Sequence, residues 1–176
     1  MSQALIRPAA PHDATALSAL SHQTFEETFI EGFAIPYPPE DMAAFVEGSY
    51  SLEATVARLA DPAQMTWIAE VGGRALGYAN AGPCHLPHPD AHDSHGELYR
   101  IYVAREAQGL GLGKRLLDTS LAWLEDRFAG APIWLGVWSG NVKAQTLYHA
   151  YGFAKAGEYE FPVGAWRDHE FIFRRG

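Results

Sequence analysis

The chain has a single cysteine, Cys84, in 176 residues. No internal disulfide can hold it together, and a reducing, cytoplasmic setting is expected. No apolar run approaches the length that crosses a bilayer, so no membrane association is expected. The opening "MSQALIRPAA" lacks a basic segment followed by an apolar one, so it does not read as a secretory leader. Repeats, linkers and low-complexity tracts are also absent. Lysine and arginine are scarce in one half only. Residues 1 to 97 hold three against 13 acids, a net of −10, whereas residues 98 to 176 hold ten against eight, a net of +2. An acidic half of this kind repels nucleic acid and attracts cations, so a nucleic-acid partner is not expected.

Apolar residues make up 48% of the chain and aromatics 12%. That suffices for a packed core, and the length suits one domain over residues 1–176. "ALIRPA" reads as a first strand and "PHDATALSALSHQTFEETF" as a helix. Phe25, Phe29 and Phe33 follow at intervals of four. Two further helical pieces, "EDMAAFVEGSY" and "SLEATVARLADP", precede a hairpin, "MTWIAEV-GG-RALGYANAG". Strand "ELYRIYV", a helix with an apolar face from Leu112 to Phe128, strand "APIWLGVW", helix "NVKAQTLYHAYGF" and two closing strands complete the chain. The class is α/β, one mixed sheet with helices against it.

"REAQGLGLGKRLLD" joins a strand to a helix through three alternating glycines. A nucleotide P-loop would need glycine at Gln108 and Ser or Thr at Arg115. A dinucleotide fingerprint would need glycine at Lys114 or Leu116. Both fail. What remains is Q-x-x-G-x-G, written by Gln108, Gly111 and Gly113. Free N–H groups at a helix start face anions, and glycine lets a pyrophosphate approach closely.

This segment resembles the acetyl-CoA-binding motif of the GNAT superfamily of acyl-CoA-dependent N-acyltransferases. A second GNAT-like segment follows, "IWLGVWSGNVKAQTLYHAYGF", and the opening "IRPAAPHDATAL" is similar to the family's first strand and helix. Within the family, "TFEETF", "ELYRIYV", "GLGLGK" and "WLGVW" look most like the polyamine (spermidine/spermine) acetyltransferase branch. The resemblance implies a mostly antiparallel central sheet of about seven strands and acetyl-CoA as co-substrate. It implies cofactor contacts along Gln108, Gly109, Leu110, Gly111, Leu112, Gly113 and Lys114, and pantetheine bonds from the backbone of Ile101, Tyr102 and Val103. Asn141, Ala144 and Tyr148 recur at intervals of three and four on one helix face, which in the family lies beside the thioester. Dimers are common in the family, so a homodimer is compatible with it.

Acetyl transfer to an amine raises three chemical needs. An alkylamine with a pKa of ~10.4 must lose a proton, the thioester carbonyl must be polarised, and the thiolate must be protonated. The resemblance gives the last task to Tyr148, a phenol that keeps its proton at neutral pH. Glu97 is the candidate base, or else an ordinary strand-end acid. Strand alternation would put Glu97, Tyr99, Ile101 and Val103 on one face. Nothing near Cys84 in sequence activates it as a nucleophile. The family places its first helices over the acceptor, which makes Phe25 and Phe29 candidate lining. The loop "PCHLPHPDAHDSHG" matches no standard zinc signature, so no metal is expected. Thr24 to Asp61 holds eight acids against Arg58 alone. A field of that sign at the acceptor entrance would favour a small cationic amine of polyamine type. Three rival readings stay open: a non-catalytic acyl-CoA-binding or sensing module, an acetyltransferase acting on a protein or amino-acid amine, and a metal-binding interaction protein.

Overall fold

A computed structural model describes residues 4–176. Its sheet has seven strands: β1 (Leu5–Pro8), β2 (Met65–Val71), β3 (Arg74–Pro83), β4 (Gly96–Val103), β5 (Ile133–Trp138), β6 (Ala154–Val163) and β7 (Trp166–Arg175). Their order is β1-β2-β3-β4-β5-β7-β6. Among the described residues only β4 and β5 pair in parallel, joined by a strand–helix–strand crossover through α4 (Leu112–Arg127). The β2–β3 turn is Gly72-Gly73, both at positive φ, the geometry that suits a tight hairpin. Among the described residues no helix is long and apolar enough to cross a membrane.

α4 is amphipathic as expected. Leu112, Leu116, Leu117, Leu121 and Leu124 are all buried in the main core beneath β3 and β4. The fit is close: a methyl group on Gly96 would stand 2.8 Å from Leu124 Cδ2. The other face of β4 carries α1 (Ala14–Phe25), α2 (Pro39–Tyr50), α3 (Leu52–Ala60) and a second, aromatic cluster built on Phe25, Tyr37 and Tyr50.

Two local features depart from the sequence reading. The first helix does not stay α-helical. From Glu26 to Gly32 it widens into a π-helix, and the Phe33 N–H reaches back to the Thr28 carbonyl at 2.9 Å. A wider turn stacks residues spaced by four more nearly above one another. The phenyl stripe therefore exists, with centroids 5.3 Å apart for Phe25–Phe29 and 6.0 Å for Phe29–Phe33. π-turns concentrate where a backbone serves a site.

The second departure corrects the facing of β4. Asn80 pairs with Arg100 and Ala81 with Leu98, so Tyr99 has no β3 partner and bulges. A bulge inverts the alternation beyond it. Glu97 therefore shares its face with Arg100, which lies over the Tyr50 ring, and with Tyr102, which meets Phe29. Val103 turns instead to the α4 side: a methyl on Gly77 would contact both Leu116 and Val103 at 3.2 Å. Glu97 and Val103 do not share one face.

Candidate active site

The pairing of β4 with β5 stops early. Gly96, Glu97 and Leu98 bond to Ile133, Trp134 and Leu135, and beyond Leu98 the two strands part. The backbone of Ile101, Tyr102 and Val103 therefore has a free edge inside the sheet. A cavity of about 1400 Å³ fills the gap. It runs from the glycine ladder to the aromatic cluster, touching both ends of the proposed chemistry.

At the ladder, Gly109 and Gly111 adopt φ of 84° and 76°, and a methyl on either would meet no protein atom within 4 Å. Gly111 caps α4 in the left-handed region, where glycine carries no steric penalty. The N–H groups of Gly109, Gly111, Leu112, Gly113 and Lys114 have no hydrogen-bond partner among the described residues, whereas Gln108 and Arg115 donate to Arg105 and Gly111. Five free donors at the start of a helix make an anion cradle, which fits a pyrophosphate. The side chains here have other tasks. Gln108 ties back to the Val103 carbonyl at 3.3 Å, Leu112 is buried in the core and Leu110 is 58% exposed. Lys114 pairs with Asp118 at 3.0 Å, and Arg115 donates to the Ala4 carbonyl. Leu110, Leu112 and Lys114 thus do not line the cavity with their side chains; Gln108, Gly109, Gly111 and Gly113 do line it.

α5 (Val142–Ala150) borders the cavity. Asn141 caps it, its side-chain oxygen accepting the Ala144 N–H at 3.1 Å, so this asparagine sets where the helix begins. Asn141, Ala144 and Tyr148 all line the cavity. Tyr148 is buried, packed on Phe153 and Phe173. Burial first, and then the charge of Glu170, push its phenol well above the ordinary range.

The cavity wall also holds carboxyl groups. Glu97 is buried and accepts the His85 N–H at 2.7 Å. Glu170 accepts the Tyr159 hydroxyl at 2.8 Å. Asp168 is buried, held by the Tyr37 hydroxyl and by Trp166 Nε1 at 2.9 Å. Burial brings Glu97 and Glu170 each up to about 7. Glu170 also raises Glu97 through its charge, and two like charges in one dry cavity resist ionising together. Sequence reading missed Asp168, Glu170 and Tyr159. One signal was available. Gly136 interrupts the apolar strand "IWLGVW", and a methyl there would stand 2.8 Å from the Tyr159 oxygen and 2.9 Å from Glu170 Oε2. Glycine inside a strand marks close approach.

The aromatic end includes Phe25 and Phe29. Phe25 is only 3% exposed and belongs mainly to the aromatic core, whereas half-buried Phe29 reaches Tyr102. Of the eight acids between Thr24 and Asp61, only Glu27 and Asp61 line the cavity. Glu27 accepts the Arg105 N–H at 2.8 Å and Asp61 caps the turn at Ala63, so both are engaged. The histidine loop packs against the sheet: Trp134 donates to His95 at 3.0 Å, and His88 meets the Ala156 carbonyl. Its neighbour Cys84 is buried, and burial pushes its thiol up to about 12. At neutral pH it holds no thiolate for acyl transfer.

Residues 22–153 match the Acetyltransferase (GNAT) family. The chain belongs to it. This GNAT chain is similar to an uncharacterised N-acetyltransferase of Mycobacterium tuberculosis, 30% identical over 163 residues that cover 93% of this chain and 97% of the relative. It is also similar to the spermine/spermidine N(1)-acetyltransferase of Bacillus subtilis, at 28% identity over 62% of this chain and 75% of that one. In fold it resembles the PaiA N-acetyltransferase of Thermoplasma acidophilum solved with coenzyme A, with a TM-score of 0.75, 17% identity and 98% of each chain covered. The GNAT chain is thus an acetyl-CoA-dependent acetyltransferase.

The raised carboxyls give the acetyltransferase a pH signature. Folded Glu97 and Glu170 hold their protons to about 7, whereas unfolded glutamates ionise near ~4.3. The folded state then binds more protons between these values, so its stability is full below the lower one and declines as pH rises through the higher. The melting temperature of the ligand-free protein is expected to fall between pH 5 and pH 7.5. The double variant Glu97→Gln, Glu170→Gln should flatten that fall; an equal slope in the variant contradicts the assignment.

Proposed function

We propose that this acetyltransferase moves the acetyl group to the primary amine of a small acceptor by direct attack, with Tyr148 as the acid and Glu97 and Glu170 as the proton-accepting pair. The observation that supports it is a single cavity lined by three features. Free N–H donors of the glycine ladder, a buried phenol and two carboxyls raised to about 7 all line it. Acetyl-CoA supplies an activated thioester. The acceptor arrives as an ammonium ion, and its charge lets both carboxyls ionise together. Glu97 or Glu170 takes its proton, directly or through water. The freed nitrogen bonds to the carbonyl carbon, the carbon–sulfur bond breaks and the proton held by Tyr148 goes to sulfur; the surplus proton that the nitrogen still carries then returns to the Tyr148 oxygen, directly or through water, and leaves a neutral amide. An N–H on the free edge of β4 is suited to the carbonyl oxygen as negative charge builds there.

A rate that needs the ionised carboxyls rises with pH through about 7 in kcat/KM, whereas an unperturbed glutamate would already be level by pH 6. A flat profile from pH 6 to 8.5 would remove both residues from the role.

A polyamine is the form of acceptor that the acidic segment suggests, and the similarity to the Bacillus subtilis enzyme agrees with it. With only Glu27 and Asp61 of that segment on the cavity wall, the attraction falls instead to Glu97, Asp168 and Glu170. Spermidine and a neutral-tailed monoamine, compared across a salt series, separate the two. A steered polycation loses kcat/KM more steeply as the screening length falls towards ~10 Å. Equal slopes would leave the amine reading and discard the polyamine form.

A further inference from the structure

Two arginines line the cavity without an acid beside them. Arg58 comes from α3 and Arg100 from β4. The arginine ion pairs among the described residues engage Arg7, Arg74, Arg105 and Arg175, but neither of these two. Arg58 gives one Nη to the Ser49 carbonyl, and its other Nη is buried with no partner. Arg100 lies over the Tyr50 ring, 5.5 Å from its centroid. The hydroxyl of Tyr78 is likewise buried with no partner. The two guanidiniums feel each other: burial, then the charge of Arg100, bring Arg58 down to about 10.

Like charges close together, with no acid in an ion pair with either, are unfavourable, and a bound anion relieves them. Planar guanidiniums match the paired oxygens of a carboxylate or phosphate. Their position excludes the pyrophosphate cradle as the reason for their presence. Arg100 shares the β4 face of Glu97 and Tyr102, opposite α4, and sits among the aromatics of α1 and α2. Glu97 lies three residues away along the same strand, roughly 10 Å at strand spacing.

We infer that Arg58 and Arg100 form an oxyanion subsite of the acceptor pocket, taking a carboxylate or phosphate carried by the same molecule whose amine is acetylated. The inference rests on the amine-acceptor reading above. It adds amino acids and amino phosphates to the acceptors that the pocket can take, with the ammonium at Glu97 and Glu170 and the anion at the arginines.

The test uses matched acceptors: amino carboxylates from glycine to 6-aminohexanoate against their primary amides, and O-phosphoethanolamine against ethanolamine. The parent enzyme should prefer the charged member of at least one pair by about tenfold or more in kcat/KM, the usual weight of a charge-assisted hydrogen bond. Arg100→Gln should reduce that ratio to about threefold or less, and Arg100→Lys should restore part of it, since lysine keeps the charge and loses the fork. Melting temperature and coenzyme A affinity, measured on each variant, separate a lost subsite from a lost fold. Preference confined to the carboxylates, or to the phosphate, names the source of the oxyanion. The inference is overturned if no charged member is preferred by the parent, or if the preference survives in Arg100→Gln. Turnover of neutral amines with no such preference sinks the subsite alone. Failure to acetylate any amine sinks the acceptor reading and the subsite with it.

Discussion

Replacing Tyr148 by phenylalanine lowers kcat by about a hundredfold or more and leaves coenzyme A affinity nearly unchanged, the usual scale for a lost general acid. The substitution removes one oxygen and keeps the ring that packs on Phe153 and Phe173, so the core should hold. The raised phenol bears directly on the role. It keeps its proton throughout the neutral range. The dry surroundings that raise it would also destabilise a bare thiolate beside it, which narrows the gap between the two acids. Rapid-quench or steady-state kinetics with a saturating amine, together with calorimetric titration of coenzyme A, gives both numbers. An unchanged kcat would leave Tyr148 as a core residue only.

Blocking the glycine ladder should remove cofactor binding altogether. Gly111→Val puts a side chain into the space in front of the free N–H groups, and no measurable coenzyme A affinity is expected. Valine at a φ of 76° is also strained in its own right, so this variant alone does not separate blocking from distortion. Gly113→Ala does. Gly113 is inside α4 at ordinary helical φ, and an added methyl would meet nothing of the protein nearer than Val103 Cγ2 at 3.8 Å. Alanine favours a helix over glycine by roughly 0.5–1 kcal/mol, so the fold should be unharmed or firmer. Coenzyme A affinity should nevertheless fall about tenfold or more, equivalent to ~1.4 kcal/mol. Calorimetry showing parental affinity in Gly113→Ala would mean that the phosphates do not lie against this turn.

How much of this was legible in the sequence depended on whether the information was local. The strand–glycine–helix unit from Glu97 to Leu124 follows from residues adjacent in the chain, and so does the Asn141 cap. The bulge at Tyr99 does not. "ELYRIYV" reads as an unbroken strand, and the extra residue exists only in relation to β3. It turns Arg100 towards Tyr50 and Tyr102 towards Phe29, and no periodicity within β4 reveals that. Asp168 and Glu170 were missed because they join Glu97 only through β7 pairing with β5. The acid count from Thr24 to Asp61 misled in the opposite way. It summed charge along the chain, whereas the field in a cavity depends on which side chains face it. The same count noted Arg58 as the segment's one base, and the structure sets it beside Arg100 on the cavity wall.

The most direct test of the account mixes the purified protein with acetyl-CoA and a panel of primary amines at pH 8. Free thiol is followed continuously and the products are identified by mass. The account predicts thiol release that depends on the amine, matched one for one by an N-acetylated product, and reduced about a hundredfold in Tyr148→Phe. Tight coenzyme A binding with thiol release no faster than in the amine-free mixture, for every amine tried, would contradict it and leave a non-catalytic acyl-CoA-binding domain.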